Sequence, residues 1–93
     1  MTRLEEIQAI IDKYELKQKS RYMHLIYRRY YLYKVLKRDG MTLSQIGRLF
    51  EKTHASVING INKHDTYMKY KDSAYMLHTV ELREKFVLPQ YYK

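Results

Sequence analysis

The sequence predicts an all-α domain of about five helices over residues 1–93. Apolar residues recur at three- and four-residue spacing along most of the chain, as they do on the buried face of a helix. Threonine, serine or aspartate residues stand before these runs, where they can cap a helix N-terminus. Between residues 42 and 63, two short runs of this kind flank the three-residue connection Glu51-Lys52-Thr53. This pattern is typical of a helix-turn-helix.

The composition is that of one globular domain. A chain of 93 residues buries roughly 60–65% of its unfolded surface, and no linker or repeat divides it. The absence of cysteine excludes disulfides and thiolate metal sites, and fits a reducing interior. No signal peptide is visible, and no apolar run approaches the ~20 residues of a membrane span. We therefore expect a cytoplasmic protein without a membrane partner.

The first helix is predicted over residues 2–16. Thr2 and Glu5 have the spacing of a capping box. One apolar face contains Leu4, Ile7, Ile10 or Ile11, and Tyr14. We expect this helix to pack on the domain, and the alternative is a helix that binds a partner or dimerises.

Positive charge is concentrated in one segment. The net charge is +8, and 22 consecutive residues from Lys17 to Arg38 contain eight basic residues and no acidic one. The rest of the chain has ten basic and ten acidic residues and is neutral. Such a segment favours a polyanion, because phosphate contacts release condensed counterions. An anionic membrane surface would also attract it, but the adjacent helix-turn-helix favours nucleic acid.

The second helix is predicted from a Ser20 cap to Arg38, where Asp39-Gly40 ends it. Apolar residues lie around much of its circumference, so it should be the central helix. The remaining arc contains His24, Arg28, Tyr31, Lys34 and Arg38. This arc could follow a phosphate backbone. The alternative is a solvated basic face with tyrosines lying over the core.

The helix-turn-helix begins with a predicted capping box of Thr42 and Gln45. The apolar stripe of its first helix is formed by Leu43, Ile46 and Phe50. The second helix is capped by Thr53, and its apolar stripe is formed by Val57, Ile58 and Ile61. A glycine at position 47 destabilises the helix by roughly 1 kcal/mol relative to alanine. Its presence is explained if the second helix crosses closely over the first, where a side chain would keep the two helices apart.

The outer face of the second helix is expected to carry small and polar residues, namely Ala55, Ser56, Asn59, Asn62 and Lys63. A major groove accepts such a face. His54 lies nearer the core by helical angle, but its place in the first turn could let it reach outward. The alternative is an ordinary helix pair, because apolar seams of this kind also occur in domains that bind no DNA.

The second helix of the pair is predicted to continue past Lys63 to a break near Lys71-Asp72. Asp72 or Ser73 can cap a last helix, in which the predicted core positions are Tyr75, Met76, Val80 and Phe86. The tail that follows should be loosely held.

No catalytic motif is visible. The four histidines are dispersed, and the sequence has no HExxH motif, no glycine-rich phosphate loop and no cysteine nucleophile. We therefore expect a protein that is not an enzyme, with no cofactor, no metal and no small-molecule substrate.

Residues 46–63, IGRLFEKTHASVINGINK, resemble the C-terminal DNA-binding domain of the bacterial replication initiator DnaA. That family's signature has Ile-Gly, an aromatic or aliphatic residue, a basic residue, and His-Thr-Thr-Val before a small residue. The matching residues are Ile46, Gly47, Phe50, Lys52, His54, Ala55, Ser56, Val57 and Gly60, preceded by Thr42 and Leu43.

The resemblance implies a Trp-repressor-like fold that binds duplex DNA. In the family the recognition helix enters the major groove and a basic loop before the long helix reaches the minor groove. By this match, His54, Ala55 and Ser56 would contact the major groove, and Lys17, Lys19 or Arg21 the minor groove.

The sequence also departs from the family. Thr53 stands where aspartate is usual, and Ala55 lacks a threonine hydroxyl, so the family's usual DNA site is not implied. The family's ATPase module is missing from these residues, and we expect DNA binding without nucleotide-driven melting.

We therefore expect a sequence-specific duplex-DNA-binding protein, nucleoid-associated, that regulates transcription or replication, as small phage or mobile-element proteins do. The predicted base-contacting residues are His54, Ala55, Ser56, Asn59 and Lys63. The predicted backbone or minor-groove residues are Lys17, Lys19, Arg21, Arg28, Lys34, Arg38, Lys52 and Thr53. A homodimer or a protein partner remains open. The alternatives are an adaptor that binds a replication or transcription protein, and a non-specific nucleic-acid binder.

Overall fold

The computed structural model describes residues 2–19 and 21–88, and within these ranges the chain is all-helical. The six helices are α1 (Arg3–Lys13), α2 (Met23–Arg38), α3 (Leu43–Phe50), α4 (His54–Lys69), α5 (Ser73–His78) and α6 (Val80–Lys85). The all-α prediction is confirmed. One more helix is present than expected because the last predicted helix is interrupted at Thr79, whose hydroxyl donates to the Tyr75 carbonyl over 2.7 Å.

Four helix caps lie at the positions that the sequence predicts. Capping boxes close the start of α1, through Thr2, and of α3, through Thr42. Thr53 caps α4 and Asp72 caps α5. These side chains accept hydrogen bonds from backbone amides that have no partner inside the helix.

Two predicted helix boundaries differ from the structure. Helix α1 ends at Lys13 because Glu15 adopts a left-handed conformation with φ 53°, after which Leu16 is fully buried. Helix α2 begins at Met23 with Tyr22 at the N-cap position, and the predicted cap Ser20 lies outside the described residues.

Helix α2 is the central element, as predicted, and it contacts α3, α4, α5 and α6. Side chains from all six helices and from Leu16 and Phe86 close one core; its largest fully buried members are Ile7, Ile11, Leu16, Tyr31, Leu32, Leu36, Ile46, Phe50, Tyr75 and Leu82. Helix α1 is tied to the rest by an Arg3–Asp39 ion pair at 2.9 Å and by the Tyr14 hydroxyl, 3.2 Å from the Glu81 carboxylate.

Several burial predictions are wrong. Ile58 is 40% exposed, because the buried stripe of α4 is Val57, Gly60 and His64, at i, i+3 and i+7. Tyr31, predicted on the outer arc of α2, is 1% exposed. Its ring lies in the core while its hydroxyl donates to the Phe86 carbonyl over 2.8 Å.

At two further positions the apolar residue lies nearer solvent than its predicted place in the core: Leu4 and Val80 are exposed. Each lies in the first turn of its helix, where fewer neighbouring elements cover the side chain.

The two helical glycines permit two different close approaches. A Cβ atom on Gly47 would lie 2.5 Å from the Lys52 carbonyl oxygen, so the turn after α3, and not a helix crossing, requires this glycine. The close helix crossing is at Gly60 of α4. There a Cβ atom would lie 2.6 Å from the Tyr33 ring and 2.8 Å from the Tyr30 ring of α2.

Candidate nucleic-acid interface

The first turns of α4 present one exposed polar face. His54, Ala55, Ser56, Asn59 and Lys63 are all exposed, so every predicted base-contacting residue is accessible. The Thr53 hydroxyl oxygen accepts the Ser56 amide over 3.2 Å and donates to the Ser56 hydroxyl over 3.1 Å. This cap fixes the first turn of the helix, and the side chains of Asn59 and Lys63 that follow it are exposed to solvent.

The basic loop, which we define as Lys17, Gln18, Lys19 and Arg21, lies beside the turn that leads into α4. The Lys52 ammonium of that turn donates to the Lys17 carbonyl over 2.6 Å, and Glu51 lies 3.8 Å from the Lys17 ammonium. All four loop residues are exposed. The structure therefore brings together the predicted minor-groove residues and the start of the predicted recognition helix.

The electrostatic environment of this junction is positive. Burial lowers the pKa of Lys52, and the nearby Arg29 and Lys19 charges lower it further, while Glu51 opposes them. Within residues 2–19 and 21–88, no ion pair includes Lys19, Arg21 or Lys63. Their charges remain available to an anionic ligand.

A groove of about 200 Å³ lies between α2 and α4, and Ser56 and Asn59 form one of its edges. The other lining residues are Ile26, Arg29, Tyr30, Tyr33 and Lys52. The sequence did not predict this groove, and its pattern indicated nothing for Arg29 beyond a positive charge. One signal was available: Arg29 shares a helical face with Ile26, Tyr30 and Tyr33, at three- and four-residue spacing.

The predicted basic arc of α2 is not a bare cationic surface. Arg28 donates to the His24 carbonyl over 2.9 Å and lies 4.4 Å from the Tyr14 ring centroid. Lys34 pairs with Asp65 at 3.0 Å, and Arg38 donates to the Val87 carbonyl over 3.0 Å.

Two cations of this arc lie on a different side of α2 from the groove. With 3.6 residues per turn, Arg28 and Arg38 lie a third of a turn or more from Ile26 and Tyr33, which line the groove. Lys34 lies within a quarter turn of Ile26, and its ammonium pairs with Asp65 of α4. Arg28 and Arg38 therefore do not extend the surface formed by the basic loop and α4.

In the described part of the chain, no group of three or more His, Cys, Asp or Glu residues could hold a metal ion. The buried His64 ring nitrogen Nδ1 lies 2.6 Å from the Tyr75 hydroxyl. Burial lowers the pKa of His64 to about 4, so its ring is neutral at pH 7.

None of the described helices combines the length and apolar character that crossing a lipid bilayer requires. Comparison of the chain with protein-family models, with curated proteins and with solved structures found no match.

Proposed function

We propose that this protein binds duplex DNA in a sequence-specific manner and is a small regulator of transcription or replication. The proposal includes a cytoplasmic, nucleoid-associated location and no enzymatic activity. The observation that carries it is the position of the basic loop, which Lys52 joins to the turn before the exposed polar face of α4. The resemblance of residues 46–63 to the DNA-binding domain of DnaA supports the same assignment of roles.

In this proposal α4 enters the major groove. Asn59 makes two hydrogen bonds to an adenine edge, and Ser56 contacts a neighbouring base. Both side chains are exposed, as such contacts require. The basic loop follows the adjacent backbone, and Lys19 or Arg21 reaches into the minor groove. A narrow minor groove attracts such cations, which would add a preference for A·T pairs.

The salt dependence of binding tests the electrostatic part. If the exposed Lys17, Lys19, Arg21 and Lys63 each neutralise one phosphate, log affinity should fall with log salt with a slope of about −3 to −4. A slope near zero contradicts nucleic-acid binding. Competition with single-stranded DNA and RNA distinguishes a duplex reader from a non-specific binder.

The decisive experiment first selects preferred sites from random duplexes and then measures variants on these sites and on random DNA. Asn59→Ala and Ser56→Ala should each cost about 1–3 kcal/mol on the preferred site and little on random DNA. Lys19→Ala should weaken both and reduce the salt slope by about one unit.

Ser73→Ala, which removes an exposed polar side chain from the start of α5, is the matched control and should change neither affinity. If Asn59→Ala weakens binding to every sequence equally, α4 does not read bases.

A further inference from the structure

Two cations hold three consecutive carbonyl groups at the start of the basic loop. Arg29 of α2 donates through Nη1 to the Leu16 carbonyl over 3.3 Å and to the Gln18 carbonyl over 3.1 Å. Lys52, from the turn between α3 and α4, donates to the Lys17 carbonyl over 2.6 Å. Residues 16–18 are thus bound to both elements that frame the candidate interface.

Arg29 differs from the other cations of α2 in its surroundings. It is 7% exposed, and no carboxylate pairs with it among the ion pairs of residues 2–19 and 21–88. A buried guanidinium without an anionic partner needs other acceptors. The backbone carbonyl groups of the loop supply these acceptors, so the guanidinium and the carbonyl oxygens are hydrogen-bonded to each other.

Neither cation is well placed to bind a phosphate itself. The Lys52 ammonium also lies 3.5 Å from the Phe50 carbonyl, so two backbone carbonyls on different segments accept from it. Arg29 is directed inward, toward the loop backbone. The exposed charges in this region belong instead to Lys17, Lys19 and Arg21.

We propose that Arg29 and Lys52 are positioning residues that clamp the basic loop to the helix-turn-helix, so that the loop and α4 form one preorganised surface. The clamp itself is a property of the free protein. Its consequence for DNA rests on the function proposed above: a held loop avoids the loss of conformational freedom that a mobile loop would suffer on binding.

Limited trypsin digestion without DNA tests the clamp directly, because trypsin cuts after Lys19 and Arg21. The variants are Lys52→Met and Arg29→Met, and the control is Lys37→Met. The control removes one positive charge from an exposed position of α2, so all three variants carry the same net charge. Cleavage after Lys71, in the exposed connection between α4 and α5, is the internal reference.

The ratio of loop cleavage to Lys71 cleavage should rise roughly tenfold in Lys52→Met and in Arg29→Met, because a charged hydrogen bond of this kind shifts a local opening equilibrium by about that factor or more. It should stay unchanged in Lys37→Met. General destabilisation accelerates cleavage at both places, so an unchanged ratio in both clamp variants overturns the proposal.

The affinity for duplex DNA and its salt dependence then show whether Lys52 positions the loop or contacts DNA directly. Lys52→Met should weaken binding roughly tenfold, the scale of ordering one loop residue again, with the salt slope unchanged, and Lys52→Arg should restore most of the affinity. A slope reduced by about 0.9 with unchanged loop cleavage would show that Lys52 contacts a phosphate, and the clamp would be wrong. If the wild-type protein binds no DNA, the proposed function fails, while the cleavage ratio still decides the clamp.

Discussion

Replacing Gly47 with alanine should loosen the turn of the helix-turn-helix. The new Cβ atom would lie 2.5 Å from the Lys52 carbonyl oxygen, in a turn that the Lys52 amide closes by donating to the Gly47 carbonyl over 2.7 Å. Ordinary van der Waals contacts of a Cβ atom lie at 3.4–4 Å, so this contact with an oxygen atom is about 1 Å too short. Because the obstacle is backbone, it cannot be avoided by a side-chain rotation.

The magnitude follows from two opposing effects. Overpacking costs about 1–3 kcal/mol, and the upper part of this range applies because the backbone must move. Alanine gains about 1 kcal/mol over glycine in a helix. The free energy of unfolding should therefore fall by about 2 kcal/mol, and Tm by roughly 8–16 °C for a domain of this size.

Thermal and urea unfolding, followed by circular dichroism, measure this change. Ser44→Ala is the control, because Ser44 is an exposed residue of the same helix and its replacement should change stability by less than about 0.5 kcal/mol. If Gly47→Ala were as stable as Ser44→Ala, the turn would have room for a side chain. The close contact that we assign to Gly47 would then be wrong.

Two further predictions concern charge. Burial lowers the pKa of His64 to about 4, below its unfolded value of about 6.5, so stability from neutral His64 is present above pH 6.5 and is lost as the pH falls toward 4. The loss in free energy of unfolding should reach about 3 kcal/mol. Urea unfolding at pH 7.5 and 4.5 should show a smaller loss in His64→Gln than in the wild type. Equal losses in the two proteins would refute the assignment to His64. Lys34→Met breaks a partly exposed pair with Asp65 and should cost less than about 1 kcal/mol while the DNA salt slope stays unchanged. A slope reduced by about 0.9 would instead place Lys34 on a phosphate.

Local features of the fold could be predicted from the sequence because short-range chemistry determines them. Each of these features depends on residues within four positions of one another. They are the capping boxes at Thr2 and Thr42, the caps at Thr53 and Asp72, and the break after α4. The exposure of Ala55, Ser56, Asn59 and Lys63 could also be predicted, because helical period alone separates these residues from Val57.

The errors arise where a tertiary contact decides the environment of a side chain. At Ile58, hydrophobicity predicts burial, but the crossing of α4 over the Tyr30 and Tyr33 rings needs the small residue Gly60 on the buried side. Tyr31 has an apolar ring and a polar end, so its side of the helix depends on whether a buried acceptor exists. The Phe86 carbonyl, 55 positions away, supplies that acceptor, and no local pattern predicts it.

Concentrated charge in a sequence need not become concentrated charge on a surface. Successive residues of a helix are rotated by about 100°, so the cations of α2 point to several sides and meet different protein groups, such as Asp65 at Lys34 and the loop carbonyls at Arg29. A loop is not bound by this period, and Lys17, Lys19 and Arg21 remain exposed together. The strength of the proposed interface should therefore depend less on the number of basic residues in the segment than on how firmly Arg29 and Lys52 hold the few in the loop.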